Sequence, residues 1–171
     1  SNFGGIYGSG AERLARSTGL SQSKAKEFLE RYKQRYPKVF SFLEQQEKLA
    51  LSKGVVKTLL GRRRLFHFNP NGLGRLKGKD PNEIDLELAR RGGMEAQQLR
   101  AAANAPIQGS SADIIKLAMI QLHKKLKTMA LPARLLLQVH DELVLEVEPT
   151  SLEEVSNLVV NTMEQAVSLS V

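Results

Sequence analysis

Apolar positions recur at helical spacing along the first third of the chain. Ser21 precedes Ala25, Phe28, Leu29, Tyr32 and Tyr36, which fall on one helical face. Pro37 closes that segment and opens the next, because its ring fits a first helical turn but not an interior one. Val39, Phe42, Leu43, Gln46, Leu49 and Ala50 form the second stripe, and Gly54 ends it. Residues 1–53 are therefore expected to be helical. Val55–Leu60 reads as a short strand, and residues 69–82, rich in Gly, Asn, Pro and Lys, read as a loop. Residues 83–104 return to a helical pattern, interrupted at Gly92-Gly93. Pro106 suits the first turn of a long helix reaching about Met129, with Ile114, Ile115, Ala118, Met119, Leu122 and Leu126 on its apolar face. Ala133–Val139 and Leu143–Val147 read as strands. Only His140-Asp141-Glu142 separates them, so a tight hairpin is expected. After Pro149 a last amphipathic helix turns Leu152, Val155, Leu158, Val159, Met163 and Val167 inward. Mostly helices with one antiparallel hairpin make the expected class α+β.

The chain has 171 residues, enough for about one domain with a sizeable core, and an ordinary 42% hydrophobic content. It has no cysteine, which excludes disulfides and thiolate metal sites. No apolar run approaches the roughly 20 residues of a membrane span, so no membrane partner is expected. The opening Ser1-Asn2-Phe3-Gly4-Gly5 is not a signal peptide. It lacks an initiator methionine, so the chain is expected to come from a longer polypeptide. Net charge is +7, unevenly spread: residues 141–171 carry seven acids and no Lys or Arg, and residues 1–140 carry 25 basic and 11 acidic groups. A basic body attracts polyanions, nucleic acid first among them. A solvated surface would account for the charge equally well.

Three runs carry candidate chemistry. In Leu135-Leu136-Leu137-Gln138-Val139-His140-Asp141-Glu142-Leu143-Val144-Leu145, two apolar strands pin a tip bearing a histidine and two acids. Adjacent like charges at a stiff turn repel, and a bound cation offsets that repulsion. Mg²⁺ takes one or two protein carboxylates and fills its shell with water and phosphate oxygens. A polar turn with no ligand is the plainer reading. In Asn2-Phe3-Gly4-Gly5-Ile6-Tyr7-Gly8, Phe3 and Tyr7 stand four apart on one helical face, where rings can stack on a base or simply pack in a core. In Arg100-Ala101-Ala102-Ala103-Asn104-Ala105-Pro106-Ile107-Gln108-Gly109-Ser110-Ser111-Ala112-Asp113, the polar residues Arg100, Asn104 and Gln108 are spaced by four, although Pro106 argues against one unbroken helix. Long polar side chains in a row can reach the minor groove, whose acceptors lie alike in every correct pair. They can equally form a solvated face.

Together these runs resemble DNA polymerase family A, the bacterial DNA polymerase I family, over nearly the whole chain and in the family's order. The resemblance makes the hairpin the motif whose aspartate is one of two metal-binding aspartates, and it maps that residue onto Asp141. Glu142 matches the adjacent assisting acid, His140 a residue near the primer terminus, and Gln138 a DNA contact. Phe3 and Tyr7 match the end of the mobile fingers helix, at the incoming nucleotide's sugar and beside the templating base. Phe3 in place of Tyr implies discrimination against dideoxynucleotides. Arg100, Asn104 and Gln108 match residues that contact primer–template, and Arg62, Arg63 and Arg64 match arginines that meet backbone phosphate. The implied layout is fingers helices over 1–60 and a fingers-to-palm region over 61–171, with the catalytic hairpin at 133–148 and truncation at both ends.

The implied reaction is attack by a primer 3′-hydroxyl on a dNTP, in DNA replication or repair, with two Mg²⁺ ions. The implied partners are primer–template DNA and dNTPs. The parent would be a monomeric, cytoplasmic, nucleoid-associated bacterial enzyme. The family's other metal-binding aspartate and its triphosphate-gripping lysine and arginine lie outside these residues, so the chain alone is expected to be inactive. The connection after Phe68, including Arg75-Leu76-Lys77-Gly78-Lys79-Asp80-Pro81, is longer than the common bacterial version and is similar to an insertion in cyanobacterial members. Its basic part is expected to lie within reach of DNA. Two rivals remain. A metal-dependent nuclease would need Glu146, Glu148 or Asp113 gathered at the tip, and would degrade DNA without nucleotides. A catalytically silent DNA-binding module would bind duplex regardless of Mg²⁺ or a primer end.

Overall fold

In the computed structural model, residues 11–91 and 93–170 are described, the side chain of Arg13 excepted. The chain divides into two compact units, the first ending at Gln108 and the second starting at Gly109.

Among the described residues, the first unit begins with α1 (Ala11–Thr18), α2 (Gln22–Arg35) and α3 (Pro37–Lys53). Ser21 caps α2 by accepting the Lys24 amide, and Pro37 occupies the first turn of α3. Gly54 ends α3 in the left-handed conformation, φ 67°, and its carbonyl accepts the Phe66 amide at 2.9 Å. The chain then forms an antiparallel pair of β1 (Val55–Lys57) and β2 (Arg63–Leu65), with Val56 opposite Arg64. The expected strand over 55–60 is thus only three residues long. Thr58 turns the chain early: its amide donates to the Arg62 carbonyl at 2.9 Å, and its own carbonyl accepts the Gly61 amide at 2.9 Å.

Residues 69–82, expected as a loop, contain two 3-10 turns, Leu73–Leu76 and Pro81–Glu83. The expected helix over 83–104 resolves into a short α4 (Leu86–Ala89), capped by Asp85, and the start of α5 (Gly93–Thr128). The core lies where these pieces meet α3. Leu51, Ile84, Leu86, Ala89 and Leu99 form one cluster, and Ala50, Val56, Ala102 and Ala105 another, with Phe68 packed on both.

One expectation is corrected. Pro106 does not begin a helix; it lies inside α5. An interior proline costs about 3 kcal/mol, because it removes the N–H that would bond the Ala102 carbonyl. Burial and propensity offset that cost. Leu99, Ala102, Ala103 and Ala105 are buried, and alanine is the best helix former.

A second difference concerns α2. Its rings form a stack, with centroids of Phe28 and Tyr32 6.1 Å apart, Tyr32 and Tyr36 5.0 Å, and Tyr32 and Phe40 5.9 Å. Yet Phe28 is 54% exposed and Tyr36 47%, and of the expected stripe only Ala25 is buried. The eight residues of α1 reach only about 12 Å, too short to cover the 14 residues of α2.

The second unit comprises the latter part of α5, the hairpin of β3 (Ala133–Val139) and β4 (Glu142–Val147), a 3-10 turn at Pro149–Ser151, and α6 (Leu152–Glu164). Leu122, Leu126 and Val155 are its buried centre, with Leu131, Leu143, Leu145, Val147, Leu158 and Val159 packed around them. The apolar faces of α5 and α6 meet through Leu122, Leu126 and Val155, while Leu152, expected to face inward, is 60% exposed and Val167 lies beyond the end of α6. Lys125 reaches into this packing, and its Nζ donates to the buried Thr162 Oγ1 at 3.0 Å. A bulge at Leu136 shifts the β3 register between Leu135 and Leu137. Among the described residues, no helix is long and apolar enough to cross a membrane.

Candidate active site

The hairpin register pairs Val139 with Glu142, leaving His140 and Asp141 as a two-residue loop. Such loops take positive φ at their first central position, so that their twist matches the strands. His140 has φ 55°, and histidine tolerates that region better than most residues. Gln138 braces the tip: its Nε2 donates to the His140 carbonyl at 2.5 Å. Gln138, His140, Asp141 and Glu142 are thus brought together, all of them exposed.

No cation pairs with Asp141 or Glu142 among the described residues. Two hard carboxylates at an open turn suit Mg²⁺, but they are part of a coordination shell and not a whole one. Among the described residues, no three His, Asp or Glu converge as a metal-holding set. The additional acids a nuclease would need are placed elsewhere. Glu146 sits 3.8 Å from Arg134 across the ladder, and Asp113 is buried on α5 with interactions of its own.

In the first unit, Arg100, Asn104 and Gln108 all lie on α5, unbroken by Pro106. Successive members are about 6 Å apart along the axis and drift about 40° around it, so the three form one row. Arg100 and Gln108 are exposed. Asn104 is half-buried, and its Oδ1 is buried with no hydrogen-bond partner among the described residues. Native buried polar atoms nearly always find a partner, so this acceptor marks a place where a donor is wanted.

Behind the row lies an ion pair that was not anticipated. The Glu47 side chain is 5% exposed, and Arg90 donates to its Oε2 through Nη2 at 2.7 Å and Nε at 3.0 Å. Burial pushes the Glu47 carboxyl above its ordinary range, opposed first by Arg90 and to a lesser extent by Arg100. The signal was present in the chain: Glu47 lies four after Leu43 and three before Ala50, on the apolar face of α3.

Arg62, Arg63 and Arg64 are all exposed at the β1–β2 turn and strand. Strand alternation sets Arg63 and Arg64 on opposite faces. Arg64 lies over the Phe66 ring, 5.3 Å from its centroid. Phe3 and Tyr7 lie outside the described residues.

A helical chain with open carboxylates on the antiparallel hairpin of one unit, and a polar helical row and an arginine-rich ribbon in the other, has the parts of a nucleic-acid enzyme domain. The chain belongs to DNA polymerase family A, whose sequence model matches residues 1–171. It is 52% identical over 170 residues to DNA polymerase I of Synechocystis, covering 99% of this chain and 17% of that protein. It is 43% identical to DNA polymerase I of Bacillus caldotenax, with the same coverage. The polymerase domain of Pol1 from M. smegmatis, solved with primer–template DNA and dNTP, superimposes with a TM-score of 0.77 at 37% identity. That match covers 99% of this chain and 27% of the solved one. The chain therefore spans about a sixth of the length of these full-length relatives.

Proposed function

We propose that this chain forms part of a template-directed DNA polymerase that joins deoxynucleotides from dNTPs to a primer 3′-hydroxyl. The observation that carries the reading is Asp141, open at the tip of a braced two-residue hairpin, in a chain that matches the family throughout. Asp141, with Glu142 beside it, holds Mg²⁺. When bound, the metal supplies Lewis-acid stabilisation of the charge developing on the phosphoryl group. A full shell needs the second aspartate that the family carries outside these residues, so the isolated chain is inactive.

The chain's own residues orient the reactants. The Gln138–His140 hydrogen bond fixes the tip, which keeps His140 at the primer terminus. Gln138 retains its amide oxygen for DNA. Arg100, Asn104 and Gln108 read the minor groove without regard to sequence, and their place in one row on the unbroken α5 supports that role. Arg62, Arg63 and Arg64 hold backbone phosphate, and Phe3 and Tyr7 bind the nucleotide. The mycobacterial polymerase domain was solved with primer–template DNA and dNTP, which supports the same partners for this chain. The parent is read as a monomeric enzyme working on nucleoid DNA in the bacterial cytoplasm; what supports its bacterial setting is its likeness to DNA polymerase I of Synechocystis and of Bacillus caldotenax.

The test is a labelled primer–template incubated with Mg²⁺ and a full-length polymerase carrying this segment. Extension that depends on added dNTPs is expected. Degradation without nucleotides would favour the nuclease, and tight binding with neither product would favour a silent module.

A further inference from the structure

We infer that the loop around Leu73–Lys79 is an additional docking surface for the phosphate backbone of bound DNA, a proposal that rests on the polymerase reading above. From Lys53 to Lys79 the chain has eight Lys or Arg and no Asp or Glu. The structure gives this run a fixed shape. Leu73 and Leu76 pack against the core of Leu51, Ile84, Leu86 and Leu99. The Gly78 amide donates to the Ser52 carbonyl at 2.8 Å, and the Ser52 hydroxyl donates to the Lys79 carbonyl at 2.5 Å. With Leu76 and Gly78 tied inward, Arg75, Lys77 and Lys79 are left exposed.

The loop hangs from the last turn of α3, and so does the arginine ribbon, through the Phe66–Gly54 hydrogen bond. Two basic loops thus share one anchor. Among the described residues no carboxylate pairs with Arg75, Lys77 or Lys79. Glu95, which reaches the loop from α5, is occupied by the amides of Asn69 at 2.8 Å and Leu73 at 3.1 Å. Asp80 is turned onto its own 3-10 turn, accepting the Asn82 amide at 2.8 Å. A folded, uncompensated basic ridge beside a phosphate-binding ribbon fits a continuing phosphate backbone. Ordering cations beforehand also lowers the entropy lost on binding.

The experiment measures primer–template affinity against salt for a full-length polymerase carrying this segment, beside primer extension by the same preparations. The test variant is Arg75→Gln/Lys77→Gln/Lys79→Gln. These side chains are exposed, and Lys79 holds Ser52 through its backbone, so the loop keeps its shape. Each phosphate contact contributes about 0.9 to the slope of log affinity against log salt, so the slope is expected to fall by about 2 to 3. A charge-matched control, Lys24→Gln/Lys26→Gln/Lys38→Gln, is expected to keep the parent slope. Arg75→Lys/Lys77→Arg/Lys79→Arg should keep it as well. An unchanged slope in the test variant, or an equal fall in the control, overturns the inference; in the first case the ridge is a solvated face or serves another partner. Failure of the unmodified protein to extend primers would sink the polymerase reading instead, and the slopes would still report on the loop.

Discussion

Glu95 is the clasp between the 69–79 loop and α5, and its removal should open that loop alone. Its two carboxylate oxygens accept the amides of Asn69 at 2.8 Å and Leu73 at 3.1 Å, and the carboxylate lies over Gly72 in space a side chain would fill. A hydrogen bond to a charged group is worth about 1.5–3 kcal/mol. The Asn69 bond is exposed and belongs at the low end or below, while the Leu73 bond is partly buried. Glu95→Ala should therefore favour local opening by about 2–3 kcal/mol, which is roughly 30- to 150-fold in an equilibrium constant. Glu95→Gln keeps one acceptor and should give a smaller effect. The assay is amide hydrogen exchange on a full-length polymerase carrying this segment. Amides of residues 69–76 should exchange faster by that factor, and those of Leu122 and Leu126 should not change. A change under about threefold in the loop, or one spread evenly over α5, would refute the clasp.

The buried Glu47 carboxyl predicts a pH dependence. Its folded pKa is raised, so the native state holds that proton more tightly than the unfolded chain does. Stability should then fall as pH rises from the ordinary carboxylate range through the raised value, and level off above it. Glu47→Gln should remove this slope, and Arg90→Ala should extend it to higher pH; denaturant melts across pH read both. Gly74→Ala should destabilise the loop by about 1–3 kcal/mol, because a Cβ there would stand 2.7 Å from the Asn69 carbonyl oxygen, a backbone atom that cannot swing away. Limited proteolysis after Asn69 would reveal it as faster cleavage, and unchanged cleavage would contradict it.

The hairpin was legible because two apolar runs flanked three polar residues, and that pattern admits few other folds. Its tip was legible for the same reason: the turn and the candidate chemistry fall on the same residues. The row of Arg100, Asn104 and Gln108 was read as candidates, but its continuity was not. Pro106 is a strong local signal, and here burial of the alanine face outweighs it. The fixed shape of the 69–79 loop was invisible, because its anchors come from Ser52 and Glu95, 27 residues before Lys79 and 26 after Asn69. Glu47 escaped notice because a carboxylate on an apolar stripe finds its partner 43 residues away, in Arg90. The α2 stripe suggested core, but only Ala25 of it is buried, because an apolar face does not say what will cover it.

The central claim rests on Asp141, and the most direct test measures single-nucleotide incorporation and primer–template affinity side by side. The comparison is a full-length polymerase carrying this segment against its Asp141→Ala variant, with Mg²⁺ present. Loss of a metal-holding carboxylate should lower incorporation by about three orders of magnitude, roughly 4 kcal/mol of transition-state stabilisation, while DNA affinity stays within a few-fold. Incorporation close to that of the unmodified protein would mean that the hairpin tip is only a turn.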